Sequence, residues 1–108
     1  MNRTARIRDL NDALRRTFHG GRVVMTRGIA ELAAAEQAAI LDAVRGFAAF
    51  TPDNDPHGEH DFGAIEHAGI RILWKIDAYD RDLTFGSSDA ANPAVTTRVL
   101  TIMLAEEY

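Results

Sequence analysis

One stretch constrains this chain more than any other. From Ile70 to Tyr79, the residues Ile70, Ile72, Trp74, Ile76 and Ala78 alternate with Arg71, Leu73, Lys75, Asp77 and Tyr79. A period of two sustained that long is a β-strand with one apolar face, and such a face has to be covered. Asp61 to His67 reads as the preceding strand, joined through Ala68-Gly69. Alanine is a poor residue for a two-residue primed turn, so a four-residue loop over 67–70 serves equally well, and both lengths give the same pairing. That pairing sets Glu66 opposite Arg71, Ile65 opposite Ile72, and Gly63 opposite Trp74, where the missing side chain leaves room for an indole. A slip by one residue would set Glu66 against Ile72 and turn the faces over. Continued outward, the pairing brings His60 opposite Asp77 and His57 near Asp80. After Tyr79-Asp80-Arg81-Asp82 a short strand, Leu83 to Gly86, is expected to return with Phe85 beside Ile76 and Leu83 beside Ala78. The expected core therefore centres on Ile72, Trp74, Ile76 and Phe85.

The flanking segments read as helices and one more strand. Thr4 is a plausible N-cap, and Ile7, Leu10, Leu14 and Phe18 fall on one helical stripe that Gly20-Gly21 ends. Arg8, Asp12 and Arg16 follow on the outer side, and Arg15 and Arg16 read as a solvated face. Residues 22–27 are rich in β-branched side chains and read as a strand. An Ala-rich helix is expected over about residues 33–47, with Ile40, Leu41, Val44 and Phe47 at helical spacing. Asn92 and Pro93 resemble an N-cap and first helical position. Val95, Val99, Leu100, Ile102, Met103 and Leu104 then suggest a final helix buried on most sides. Glu106 and Glu107 would sit at its C-terminal end, where the macrodipole disfavours anions. The expectation is an α+β domain spanning residues 1–108 in the order α-β-α-β-β-β-α, with a small, mostly antiparallel sheet and helices on one face.

Composition narrows the function. With 108 residues and no cysteine, a single domain without disulfides, a thiolate zinc site or a cysteine nucleophile is expected. No apolar run approaches the ~18 residues of a membrane span, and no secretory leader is evident, so a cytoplasmic location is expected. Residues 1–50 carry eight basic and five acidic side chains, whereas residues 51–89 carry nine acidic and three basic. A formal net charge of −4 does not suit a basic nucleic-acid-binding domain, and a DNA mimic would need a denser acidic field.

The chemistry-bearing residues gather in the loop Thr51 to Asp61, which holds Asp53, Asp55, Glu59 and Asp61 together with His57 and His60 and no basic side chain. By the pairing above it meets Asp77, Asp80 and Asp82. So many acids repel one another unless cations offset them. One reading is structural: local Asx turns, two stiffening prolines, and a His60–Asp77 clamp. A second is a divalent metal site, with His57, His60 and one or two of Asp61, Asp77 and Asp80 as a mixed nitrogen–oxygen set for zinc, manganese or iron. A third is acid–base catalysis by a His–carboxylate pair. The last is a protein-binding surface on which Asp53, Asp55, Glu59 and Asp82 recruit an Arg-rich partner. No serine stands in a nucleophile-elbow context and no phosphate-binding loop is present. His19 and His67 read as residues beside turns. Lys75, the sole lysine, faces away from Trp74 and is placed to neutralise Asp77.

The loop Phe50 to Gly63, the strand Trp74 to Asp77 and the tail Val95 to Tyr108 together resemble a small bacterial family of unknown function, largely proteobacterial and often carried on plasmids and mobile elements. The resemblance implies a stand-alone cytoplasmic protein and brings no catalytic assignments with it. Members often have two tyrosines before the aspartate where this chain has Ala78-Tyr79-Asp80. The resulting expectation is a non-enzymatic binding module, regulatory or counter-defensive, acting on a protein partner. The runner-up is a metal-dependent phosphoester hydrolase using His57, His60 and Asp77. Nucleic-acid binding through Arg3, Arg6, Arg8, Arg15 and Arg16 comes third. No cofactor beyond a divalent metal is expected. Short sheet edges and the apolar last helix suggest a homodimer, and no membrane is involved.

Overall fold

The computed structural model describes residues 2–108. Helix α1 (Arg3–Thr17) starts two residues earlier than a Thr4 cap suggests, because Asn2 is the N-cap and its Oδ1 accepts from the Ala5 amide at 2.8 Å. Phe18 closes it in the left-handed region, at φ 61°. Strand β1 (Arg22–Met25) follows, then a short helix α2 (Arg27–Ala30) not anticipated from the sequence, and then the expected Ala-rich helix as α3 (Ala34–Arg45). The hairpin β2 (Phe62–His67) and β3 (Ile70–Tyr79) and a last strand, β4 (Thr97–Leu104), complete the order. The architecture is the expected α+β one, with a four-stranded, mostly antiparallel sheet in the order β1-β4-β3-β2. Among the described residues, only the β1–β4 pair is parallel.

The hairpin pairs as read from the sequence: Glu66 meets Arg71, Ile65 meets Ile72, and Gly63 meets Trp74. Its turn is the two-residue one, with Ala68 and Gly69 both at positive φ, 50° and 81°. Gly63 is required by packing. A Cβ there would collide with Trp74 Nε1 and lie 2.9 Å from the Phe47 ring.

Two expectations fail, each for a physical reason. The final helix is β4. Asn92 and Pro93 do cap a turn, with Asn92 Oδ1 accepting from the Ala94 amide at 2.9 Å, but it is a single 3-10 turn over Pro93–Val95. Beyond it the β-branched Thr97, Val99, Thr101 and Ile102 favour extended backbone. The strand alternates after all, with Arg98, Leu100 and Ile102 buried on the helix-covered face and Thr97, Val99 and Thr101 only partly covered on the other, but the apolar Val99 and Met103 on that second face hide the period. The expected strand Leu83 to Gly86 is likewise absent. A single bridge joins Tyr79 to Gly86, and the rest is a loop in which Phe85 is 73% exposed. Phe85 is therefore not a core residue.

The core lies between the sheet and the three helices. Leu14 of α1, Ile29 of α2, and Ile40 and Val44 of α3 pack on Ile72, Trp74 and Ile76 of β3 and on Leu100 and Ile102 of β4. All the helices thus cover one face, as expected. On the other face Lys75 Nζ pairs with Asp77 at 2.7 Å, and Tyr108 meets Phe62 edge-on at 6.4 Å between ring centres. Glu107 reaches back from the 3-10 turn Ala105–Glu107 to the start of α2. It accepts from Thr26 Oγ1 at 2.6 Å, the Gly28 amide at 2.9 Å and the Leu104 amide at 2.8 Å. The dipole mismatch anticipated for a helical tail disappears, since this carboxylate caps a helix N-terminus instead.

Candidate functional site

The acidic loop is folded against α1, and the polar side of that helix holds it there. Arg8 Nη1 donates to the Gly58 carbonyl at 3.1 Å, and Asn11 Nδ2 donates to the Glu59 carbonyl at 3.0 Å. His60 Nδ1 lies 2.9 Å from Asp12 Oδ1, and since an ionised carboxylate only accepts, the imidazole donates. The His60 ring stacks on Phe50 at 3.7 Å with the planes 3° apart. Within the loop, Thr51 and Asn54 exchange side chain–backbone bonds, and Asp55 Oδ1 accepts from the His60 amide at 3.2 Å. Local side chain–backbone bonds of the kind the structural reading expects are therefore present.

The expected His60–Asp77 clamp is not. Hairpin pairing does run one residue past β2, since Asp61 O accepts from the Ile76 amide at 2.8 Å. His60 then takes φ 54°, which breaks the strand alternation and turns the ring toward α1. The Asp12 carboxylate takes the place foreseen for Asp77, which is already neutralised by Lys75. Asp12 was invisible as a partner because nothing in local spacing links residue 12 to residue 60.

Asp12 is itself held by Arg15. The Arg15 side chain is fully buried, with Nη2 on Asp12 Oδ1 at 3.0 Å. Its Nη1 donates to the carbonyls of Val44, Arg45 and Phe47, the C-terminal end of α3. The guanidinium also lies 5.3 Å from the Trp74 ring and 5.4 Å from Phe50. This replaces the solvated face read from the sequence, and it removes Arg15 from any nucleic-acid surface. Arg6 Nε donates to the Ala91 carbonyl, while Arg3 and Arg16 remain mostly exposed. Arg98 of β4 is a second buried cation that sequence reasoning missed. It donates to Asn11 Oδ1 at 2.8 Å and to the Ala90 carbonyl, and burial pushes its pKa down.

What remains open is a pocket lined by Phe50, Thr51, Pro52, Asp55, His57 and His60. Asp55 Oδ2 stands 3.6 Å from His60 Nε2, so the imidazole sits between two carboxylates. His57 and Asp53 are exposed. Burial raises the pKa of Asp61 above the ordinary carboxylate value, with Asp55 and Asp77 adding to the rise and His57 opposing it. The acids do therefore sense one another across loop and strand, as the charge count suggested. Asp80 is committed locally, its Oδ1 accepting from the Thr84 amide at 2.9 Å, and Asp82 beside it is exposed. Among the described residues, no three His, Asp or Glu side chains come together as a metal ion requires. No helix among the described residues is long and apolar enough to cross a membrane.

Residues 25–107 match a family described as a protein of unknown function, DUF3768. The matched region holds the whole acidic loop and the hairpin, whereas α1, with Asp12 and Arg15, precedes it. No curated protein and no solved structure matches the chain.

Proposed function

The chain belongs to the DUF3768 family, and we propose that it is a binding module whose working surface is the acidic loop Thr51–Asp61. The observation that carries this is the clamping of that loop: Arg8, Asn11 and Asp12 of α1 fix its far end at Gly58, Glu59 and His60. An ordered loop loses little conformational entropy on binding, so its acidic groups act as a preorganised surface. Asp53 and His57 face solvent on it and Glu59 is partly exposed, whereas the Asp55 side chain is turned in against His60 and only 6% exposed. The matching partner is a protein with an Arg-rich face, because guanidinium groups pair with carboxylates in two-point geometry. The resemblance to families on bacterial plasmids and mobile elements supports a regulatory or counter-defensive use of this contact inside the cell.

Affinity capture from bacterial lysate over a salt series, followed by mass spectrometry, tests the proposal. The wild type is expected to retain a basic protein at low salt, and Asp53→Lys with Glu59→Lys to lose it. Recovery of no protein at any salt overturns the reading.

One observation favours a second reading, a metal-dependent phosphoester hydrolase. His60 donates to Asp12 through Nδ1 while its Nε2 faces Asp55 in an open pocket shared with His57. A carboxylate behind the imidazole is how ligand histidines are commonly oriented. Asp55 is here the nearer carboxylate, in place of Asp77. Metal analysis of untagged protein decides it: less than about one-tenth equivalent bound, with no thermal shift on adding zinc or manganese, ends this reading. Nucleic-acid binding is left with Arg3, Arg6 and Arg16, and an unretarded low-salt gel shift disposes of it.

A further inference from the structure

Asp55-Pro56 is the one place in the chain where an aspartate precedes a proline. The nitrogen of that bond belongs to a tertiary amide. It is more basic than an ordinary peptide nitrogen and departs more readily once protonated. The aspartate carboxylate reaches the carbonyl carbon of its own residue by closing a five-membered ring. Nucleophile and electrophile are therefore never apart, and what a fold can add is their alignment.

The loop supplies that alignment. Asp55 opens a turn in which its carbonyl oxygen accepts from the Gly58 amide at 3.1 Å, and its own amide donates to the Thr51 carbonyl at 2.9 Å. Asp, Pro and Gly suit the first, second and fourth positions of such a turn. The Gly58 bond also polarises the Asp55 carbonyl and is placed to stabilise negative charge that develops on its oxygen. Asp55 Oδ1 accepts from the His60 amide at 3.2 Å, and Oδ2 lies 3.6 Å from His60 Nε2. Carboxylate and carbonyl of one residue are thus both drawn toward the segment 58–60. The side chain is only 6% exposed, so little water competes for the carboxylate. His60, which holds it, is itself fixed by Asp12 and by stacking on Phe50. On the other side Asp55, Pro56, His57 and Gly58 line an open pocket that admits water to the peptide bond.

We infer that Asp55–Pro56 is a self-cleaving bond. A side-chain oxygen of Asp55 attacks the Asp55 carbonyl carbon, the C–N bond to Pro56 breaks, and the proline nitrogen leaves with a proton drawn from water in the pocket. Asp55 is left as a cyclic anhydride, which water opens to the free α- and β-carboxylates. The net change is the addition of one water molecule. The two pieces stay together. Residues up to Asp55 supply α1, β1, α2 and α3, and those from Pro56 onward supply β2, β3 and β4. Strand β1 still pairs with β4, the core draws on both pieces, and Arg8, Asn11 and Asp12 still hold the second piece at Gly58, Glu59 and His60. Scission needs no partner on the loop, so it stands apart from the binding reading.

Intact-mass spectrometry of the purified full chain, sampled over days in buffer, tests it. The native protein is expected to yield two fragments whose masses sum to that of the chain plus one water, the second beginning at Pro56. Scission should run at least about tenfold faster than in the same chain unfolded in urea, because only the folded loop aligns carboxylate and carbonyl. Added hydroxylamine should intercept the anhydride and leave Asp55 as a hydroxamate. Asp55→Ala should abolish the reaction and Pro56→Ala slow it at least about tenfold, each checked for folding by circular dichroism. A native chain that stays whole, scission as fast in urea, a cut at another bond, absence of the hydroxamate, or scission that survives Asp55→Ala overturns the inference.

Discussion

Arg15 shows how one side chain can join three parts of a small fold. Its guanidinium terminates α3, fixes the Asp12 carboxylate that holds His60, and lies against the rings of Trp74 and Phe50. Removing one partner of a buried charged network leaves the others desolvated and unpaired. Arg15→Met should therefore cost about 3–5 kcal/mol in urea unfolding, and a loss below about 1 kcal/mol would mean that the network contributes nothing net. Trp74 is the other deeply committed residue, fully buried opposite Gly63. Trp74→Ala should also cost about 3–5 kcal/mol through loss of apolar burial and the cavity left behind. The role of Trp74 was legible from its place in the alternating strand. That of Arg15 was not, because an arginine beside Arg16 on a helix has the same sequence signature whether it faces water or three backbone carbonyls.

Among the elements, the hairpin could be read in full because only one of its two faces is apolar, and a slip would have exposed the wrong side chains. Strand β4 could not, since Val99 and Met103 place apolar side chains on its partly covered face as well and hide the alternation, and Asn92-Pro93 gave a true cap signal for a turn of three residues. The tail that follows β4 is tied down by Glu107. Hydrogen bonds from Thr26, Leu104 and Gly28 hold its carboxyl below the ordinary glutamate pKa. A depressed carboxyl pKa contributes stability that is complete above the unfolded value, roughly 4.3, and is lost as pH falls through the folded one. Glu107→Gln should thus lower the melting temperature at pH 7, with the difference from wild type shrinking as the pH is brought below about 4. A difference that does not narrow on acidification would mean that the carboxylate charge is not what caps α2. Asp61 acts with the opposite sign, because its raised pKa removes stability as pH rises.

For the molecule as a whole, the acidic region was legible as a cluster but not as a geometry. Charge counting located it, and the hairpin register brought Asp61 and Asp77 into the same field. The frame that orders the loop comes from α1, some fifty positions away in sequence, and no local pattern reports such a contact. His60→Ala should expose that dependence. Amide exchange of residues 55–61 is expected to accelerate by about tenfold or more, while β3 and β4 keep their protection. Equal acceleration in the sheet would show that loop and sheet open as one unit. The placing of β4 between β1 and β3 has an effect on biosynthesis as well. The middle of the sheet is translated after both of its neighbours, so a growing chain carries β1 and β3 with bare edges until Thr97–Leu104 has emerged from the ribosome. During that interval those bare edges are open to pairing with a neighbouring chain.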